Sequence, residues 1–411
     1  MARTRAQAAS QKALPSPASN NQGNPPAPVQ SRGRKRKQYA LEANPDSDPK
    51  RQRTSPPHPI KDAFGEPAIS SSAHKHTADP VAFWTKEGRW PNEHDWPEET
   101  SRTVSTTPSD QKPREEKSTP YRDARYTLLL QTKGSYMDIS ELGITDTSKQ
   151  LIRDLLNGKQ SVPQGTLFDD PIFVNACRNL ENKNEARIIQ DVSRLIVPSA
   201  ESLALWNKTC KCLVESVNEG WNNSIPLTST RPQPDYSVGF KRDAFTKDQL
   251  DKLSPFIGDV ATGDQSFFMA TYYMYFPFLT CEVKYGDAGL DIADRQNAHS
   301  MTLAVRAIVE LFCAVKREDE INRQILAFSI SHNHELVRIY GHYPVIGING
   351  EDTKYYRHPI QKFLFTESDG KDKWTAYRFT KNIYDVWMPA HFKKICSAID
   401  QLPSNLDSDV L

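Results

Sequence analysis

An abrupt change in the texture of the sequence near Tyr121 constrains the fold more than any other feature. Residues 1–118 are rich in Pro, Ser, Gln, Asn and Lys and show no sustained hydrophobic periodicity. A segment of this composition cannot bury enough apolar surface to offset the entropy that ordering costs. We therefore predict a disordered N-terminal arm at 1–118, one folded domain at 119–405 and a short tail at 406–411.

The overall charge gives no reason to expect a polyanion-binding surface over the whole molecule. The chain has 52 Lys and Arg against 51 Asp and Glu, so any affinity for nucleic acid must be local. Its six cysteines are scattered through apolar or mixed segments, and the first residues do not form a hydrophobic signal segment. These features favour a reduced, intracellular protein. Because no run of about 18 apolar residues occurs, we expect no membrane association.

Two basic clusters stand in the predicted arm, separated by about a dozen residues. Their members are Arg34, Lys35, Arg36 and Lys37, then Lys50, Arg51 and Arg53. Clusters at this spacing resemble a bipartite nuclear-import signal, which predicts a nuclear location and an import receptor as a partner. The alternative is a solvated charge run that binds polyanions loosely.

Hydrophobic periodicity predicts alternating helices and strands in the folded part. Predicted helices cover 148–156, 170–180, 185–196, 199–221, 247–253, 292–315 and 383–402. Predicted strands cover 233–240 and 278–284, with hairpins at 325–331 with 336–343 and at 362–366 with 374–379. The aromatic segment 266–276 fits either a strand or a buried helix.

Polar residues interrupt two of these apolar elements. In the strand 278–284, alternation puts Glu282 and Lys284 on the same face, either as a surface ion pair or as half of a metal-dependent hydrolytic site. In the helix 185–196, Glu185 lies on the inward stripe, where a carboxylate needs a cation, a donor or water beside it. The alternative for Glu185 is a first-turn residue favoured by the helix dipole.

Asp235 on one strand, Glu282 and Lys284 on the next, Glu185 on the preceding helix and Gln296 on the following one form an ordered set of polar residues. Hydrolysis of a phosphodiester uses such a set, because carboxylates hold Mg²⁺ and a lysine orients the attacking water. Two carboxylates with a main-chain carbonyl suffice, since Mg²⁺ keeps some of its waters. Glu282 follows Asp235 by 47 positions (282 minus 235), so a long connection joins the two strands.

Short segments of the chain also resemble a known family. Pro234-Asp235 followed by Glu282-Val283-Lys284 is similar to the PD-(D/E)XK motif of the restriction-endonuclease-like nucleases. Further segments resemble a fungal family of uncharacterised PD-(D/E)XK-like proteins: Asn184-Glu185-Ala186-Arg187, Pro232-Gln233-Pro234-Asp235-Tyr236-Ser237, Phe276-Pro277-Phe278-Leu279, Ala293-Asp294-Arg295-Gln296-Asn297-Ala298 and Tyr340-Gly341-His342-Tyr343.

This resemblance implies an α/β fold with a restriction-endonuclease-like core, in which a central mixed β-sheet is flanked by helices. It implies that Asp235, Glu282 and the Val283 carbonyl hold the metal and that Lys284 positions the nucleophilic water. Glu185 would be an auxiliary acid, and Gln296 would match a helix glutamine beside the site. We therefore expect a nuclease that cleaves DNA with Mg²⁺ or Mn²⁺.

Other functions stay open on the sequence alone. A nuclease-like fold also suits a catalytically silent module that binds nucleic acid or protein, or the toxin of a selfish element. His332, His334 and His342 suggest a zinc or histidine-nuclease site, or else turn histidines with a packed His342. Three basic residues are candidates for phosphate contacts, or else solvated surface charges: Lys241, Arg242 and Arg295.

Overall fold

The computed structural model describes residues 114–258, 263–286, 289–347 and 352–403. The two basic clusters of the predicted arm and the predicted tail lie outside these residues. Within them, helices flank a mixed sheet of eight strands, which confirms the predicted α/β class. None of the helices described is both long and apolar enough to cross a membrane.

The helices and strands follow each other along the chain in a mixed order. The helices are α1 (Arg114–Arg122), α2 (Tyr126–Thr132), α3 (Asp146–Asn157), α4 (Asp170–Leu180), α5 (Glu185–Asp191), α6 (Ser193–Ile196), α7 (Ala200–Ala204), α8 (Lys247–Ile257), α9 (Gly289–Ala314), α10 (Thr375–Asn382) and α11 (Met388–Ile399). The strands are β1 (Ser135–Tyr136), β2 (Leu213–Val217), β3 (Tyr236–Phe240), β4 (Met269–Thr271), β5 (Met274–Val283), β6 (Ala327–His332), β7 (Leu336–Val345) and β8 (Lys354–Leu364).

The sheet has the strand order β1-β8-β7-β6-β5-β3-β2, and β4 pairs with β5 beside this path. The β5–β6 and β1–β8 pairs are parallel, and the others are antiparallel. Because a parallel pair needs a crossover connection, the long helix α9 joins β5 to β6. The long connection between β3 and β5 contains α8 and β4.

The core is centred on β5 and α9. All ten residues of β5 are buried, as expected of a strand covered on both faces. Helix α9 packs against β5, β6 and β7. The Trp387 ring, in the π-helical turn before α11, contacts both Phe278 and Phe328 at centroid distances of 5.6 and 5.0 Å.

Helices α1 and α2 pack on α9 through a second, smaller apolar cluster of Tyr121, Tyr126, Leu130 and Ala298. Helix α1 begins at Arg114, inside the segment that the sequence assigned to the arm, and Lys117 and Ser118 are buried. The folded part of the chain therefore includes residues before 119. Composition did not indicate this, because the buried contacts of α1 are partly polar.

The predicted helix 199–221 is wrong. Only Ala200–Ala204 is α-helical, a 3₁₀ helix follows at Lys208–Cys212, and the chain then forms the edge strand β2, which pairs with β3. Leu205 and Trp206, which the helical pattern placed inside, are 78% and 90% exposed. Pairing between strands overrode a weak helical spacing here, since Val214 and Val217 suit a strand.

The second predicted hairpin is also wrong. The part at 374–379 lies in helix α10, and Asp369-Gly370 belongs to a 3₁₀ turn instead of a hairpin turn. The predicted helix 185–196 divides at Val192 into α5 and α6. The first hairpin, β6 with β7, is confirmed, and so is the helix 170–180. The segment 266–276 contains β4 and the start of β5, so it is strand.

Candidate active site

Two carboxylates meet where β3 begins and β5 ends. Tyr236 pairs with Cys281 in the antiparallel register, so the next position along sets Asp235 opposite Glu282. The main-chain N–H of Val283 donates a hydrogen bond of 2.8 Å to Asp235 Oδ2. Both carboxyl side chains are almost completely buried. The long insertion between them in sequence therefore does not separate them in space.

The Lys284 ammonium lies among three carboxylates. Its Nζ is 3.3 Å from Glu185 Oε1, 3.8 Å from Asp235 Oδ2 and 3.7 Å from Glu282 Oε2. It also donates a hydrogen bond of 2.9 Å to the Val283 carbonyl. Glu185 lies in the first turn of α5, whose N-cap is the Asn184 side chain. The structure thus brings together four of the five predicted side chains and the predicted main-chain carbonyl.

The sequence did not identify a second lysine at this site. Lys117 Nζ, from α1, lies 2.5 Å from Asp235 Oδ1 and donates hydrogen bonds to the Gln233 carbonyl at 2.6 Å and to Asn218 Oδ1 at 3.3 Å. The side chains of Lys117 and Asp235 are each 3% exposed. Removing one partner of a buried ion pair costs roughly 3–5 kcal/mol, because the remaining charge stays buried. The sequence signal was slight: Lys117 is one helical turn before the buried Tyr121.

The fifth predicted residue, Gln296, is buried on α9 but separate from this cluster of hydrogen bonds. Its Oε1 has no hydrogen-bond partner among the residues that the structure describes. The next residue, Asn297, instead connects α9 to the sheet. The role that the resemblance implies for Gln296 stays a prediction.

Tyr121 of α1 lies close enough to Glu282 for the carboxylate charge to act on its hydroxyl. Burial raises the pKa of Tyr121 well above its ordinary value, and the charges of Tyr126 and Glu282 raise it further. The Tyr121 hydroxyl lies 2.9 Å from Nδ1 of His299 on α9. Burial also lowers the pKa of His299 to about 3, so this imidazole is neutral. These contacts hold α1 against the site.

The donor set suits a hard divalent cation. Asp235, Glu282 and the Val283 carbonyl offer only oxygen, which Mg²⁺ and Mn²⁺ prefer. Three carboxyl groups face two amino groups here. No group of three or more His, Cys, Asp or Glu side chains in the part of the chain described is arranged to hold a metal ion. A metal here would therefore depend on the main-chain oxygen and on water.

The three candidate histidines do not form a site. The two nitrogens of His332 lie 3.1 Å from Ser193 Oγ and 2.9 Å from the Asn333 carbonyl. His342 Nε2 lies 2.8 Å from Ser329 Oγ, whereas His334 lies next to Glu335. These separate contacts correspond to the alternative of turn and packed histidines.

The three candidate phosphate contacts lie in different places. Lys241 and Arg242 follow the far end of β3, roughly 20 Å from Asp235 at about 3.3 Å per strand residue. There they contact Asp243 and the Tyr275 hydroxyl. Arg295 lies on α9, and its Nε donates to the Tyr121 carbonyl at 2.6 Å. Of the three, only Arg295 contacts α1, the helix that carries Lys117 to the carboxylates.

Residues 172–399 match the model of a family described as a domain of unknown function, DUF7924. This match covers more than half of the 411 residues. It includes Glu185, Asp235, Glu282 and Lys284, whereas Lys117 precedes it. No curated protein matches the sequence. The chain belongs to the DUF7924 family.

Proposed function

We propose that this protein is a nuclease of the PD-(D/E)XK type that hydrolyses phosphodiester bonds of DNA with Mg²⁺ or Mn²⁺. The position of Lys284 Nζ supports this proposal most directly. It lies within 3.8 Å of the carboxylates of Glu185, Asp235 and Glu282 and 2.9 Å from the Val283 carbonyl. The restriction-endonuclease-like core and the nuclear location predicted from the basic arm belong to the same proposal.

Each residue of the cluster has a distinct part in this proposal. Asp235, Glu282 and the Val283 carbonyl would hold the metal, which supplies Lewis-acid stabilisation of the charge developing on the phosphate. Lys284 orients the attacking water, and Glu185 positions Lys284 through their ion pair. Gly286, in a left-handed conformation with φ +71°, leaves open space just beyond β5 where a phosphate backbone can approach.

The proposal is tested with purified full-length protein and double- or single-stranded DNA in the presence of Mg²⁺ or Mn²⁺. We expect cleavage by the wild type, and a loss of roughly 100-fold or more in Glu282→Gln and Lys284→Met, because each removes a group that acts on the water or the metal. The measurement is the single-turnover cleavage rate.

Glu320→Gln and Lys149→Met are matched controls on the surface, where the side chains are 45% and 53% exposed. Both should cleave like the wild type. If all four variants cleave DNA at the same rate, a contaminating nuclease cut the DNA, and the assignment of these residues to an active site is wrong. Far-UV circular dichroism checks that each variant is folded.

A second candidate is a catalytically silent module that binds nucleic acid or protein. The Lys117 ion pair favours it, because an ammonium already holds Asp235 Oδ1, one of the proposed metal-ligand oxygens. This candidate predicts no cleavage on any substrate and DNA binding that is the same with Mg²⁺ and with a chelator. A filter-binding titration under both conditions separates it from the nuclease.

A further inference from the structure

The main-chain and side-chain oxygens around Lys117 form a small cage. The ammonium contacts the Asp235 carboxylate, the Gln233 carbonyl and the Asn218 amide oxygen at 2.5, 2.6 and 3.3 Å. An ammonium has three N–H donors, and each of them has an oxygen acceptor here. Because all three contacts are oxygens and one is charged, the cage has the donors that a hard metal cation also uses.

The helix that brings Lys117 to this cage is a weak one. We name α1 (Arg114–Arg122) the strap. It has nine residues and contains Pro120, which lacks an N–H for the helix ladder. Isolated helices of this length are marginal in water, so tertiary contacts keep the strap helical. A short helix that is stabilised mainly by tertiary contacts unfolds locally more easily than the sheet on which it packs.

Several contacts of the strap lie near the site. Besides the Lys117 cage, the Tyr121 hydroxyl lies 2.9 Å from His299 Nδ1 and Arg295 Nε donates to the Tyr121 carbonyl. The strap precedes the DUF7924 match, whereas Asn218, Gln233 and Asp235 all lie within it. The family domain thus provides the cage, and a segment before the domain provides the cation.

We propose that the strap is an autoinhibitory element in which the Lys117 ammonium occupies a divalent-cation position on Asp235. This inference rests on the proposed function, since it takes Asp235 as a metal ligand. While the strap is docked, Lys117 competes with Mg²⁺ or Mn²⁺ for the Asp235 carboxylate. When the strap undocks from the domain, the cage oxygens of Asp235, Gln233 and Asn218 become available to the metal. The apparent metal affinity therefore depends on the fraction of molecules with an open strap.

The first test measures Mn²⁺ binding by full-length protein, using the electron paramagnetic resonance signal of free Mn²⁺. Lys117→Met removes the competing charge and keeps an unbranched side chain. We expect its half-saturating Mn²⁺ concentration to fall at least about ten-fold below that of the wild type. Mn²⁺ should also raise its melting temperature more than that of the wild type, because it offsets the uncompensated Asp235. Lys149→Met is the matched control and should bind Mn²⁺ like the wild type.

A second variant leaves all the site carboxylates and both lysines in place. Tyr121→Phe removes only the hydroxyl contact with His299, so it loosens the strap. We expect a smaller decrease in the half-saturating Mn²⁺ concentration and faster hydrogen exchange of the amides at 114–122. In the wild type, Mn²⁺ should also speed exchange of these amides. If Lys117→Met does not fold, Tyr121→Phe and the exchange measurement carry the test.

Unchanged Mn²⁺ binding in a folded Lys117→Met variant, or strap amides whose exchange does not respond to Mn²⁺, would overturn the inference. Cleavage assays distinguish this failure from that of the proposed function. Tighter Mn²⁺ binding in Lys117→Met without any DNA cleavage would support the autoinhibitory role of the strap and contradict the proposed nuclease activity. DNA cleavage by the wild type, with Mn²⁺ binding unchanged in both variants, would contradict the autoinhibitory role of the strap and support the proposed nuclease activity.

Discussion

Gly289, the first residue of α9, touches the stem of Lys284. A Cβ at this position would lie 2.7 Å from Lys284 Cβ, closer than two carbon atoms pack. The atom it meets is at the base of the side chain, so Lys284 cannot move aside by rotating its far end. The absence of a side chain at Gly289 therefore helps to set where the Lys284 ammonium lies.

We expect Gly289→Ala to destabilise the protein by roughly 1–3 kcal/mol, the cost of overpacking a close contact, although alanine is the better helix former. If the protein is a nuclease, displacement of Lys284 should also slow cleavage by roughly 10- to 100-fold. Urea unfolding and single-turnover rates are the measurements. A stable Gly289→Ala variant would show that Lys284 is not constrained in this way.

At the residue scale, the sequence predicted the polar groups that alternation and a short motif can identify. Asp235, Glu282 and Lys284 meet because β3 and β5 pair in register, and Glu185 begins a helix beside them. The contact of Lys117 with the site could not be predicted from the sequence, for a physical reason. Its partner Asp235 is 118 positions away, and neither periodicity nor local composition indicates so distant a contact.

At the scale of elements, one buried amide connects β5, α9 and β6. Asn297 Oδ1 accepts a hydrogen bond of 2.7 Å from Thr280 Oγ1 on β5. Its Nδ2 donates to the Ile330 carbonyl and to Ser331 Oγ on β6, at 3.0 and 2.9 Å. The crossover helix is thus fixed to both parallel strands, close to the candidate site at the end of β5.

Replacing Asn297 by alanine should destabilise the protein by roughly 2–4 kcal/mol, because buried groups on both strands lose their partner at once. The expected measurement is a lower midpoint of urea unfolding with an unchanged slope. Asn175→Ala on the exposed side of α4 is the matched control and should change stability by less than about 0.5 kcal/mol. Similar midpoints for the two variants would mean that the amide does not lock α9 to the sheet.

The elements that the sequence predicted well have strong periodicity or clear end signals. Helix α4 has Pro171 in its first turn, and the β6–β7 hairpin has a short polar turn. The elements that were predicted wrongly have weak local sequence signals, which tertiary pairing overrode. Strand β2 exists because it completes the edge of β3, and the exposed Trp206 shows that hydrophobic spacing alone misplaced the core.

At the scale of the whole molecule, buried neutral histidines make stability depend on pH. Burial lowers the pKa of His299, His342 and His391 from 6.5 to about 3. Above pH 6.5 each of them is neutral in both the folded and the unfolded chain, so it adds no pH dependence. Between about pH 6.5 and 3 the unfolded chain binds the proton and the folded chain does not, so stability falls as the pH falls.

We expect the free energy of unfolding to decrease on going from pH 7 to pH 4, with each such histidine contributing up to about 1.4 kcal/mol per pH unit. His342→Gln should lower this slope, because glutamine takes no proton in the unfolded chain. Urea unfolding at several pH values gives the slope, and comparing slopes removes any loss of the Ser329 contact that is common to all pH values. Equal slopes in the variant and the wild type would show that His342 is not kept neutral by the fold.

The long separation between Lys117 and its cage also sets an order of events during synthesis. A ribosome makes Lys117 118 residues before Asp235, and β6 through β8 emerge later still. Chains fold from the N-terminus as they emerge, but the strap has no docking surface until α9 and the sheet exist. The strap is therefore made long before the surface on which it docks, and its docking cannot precede the folding of that surface.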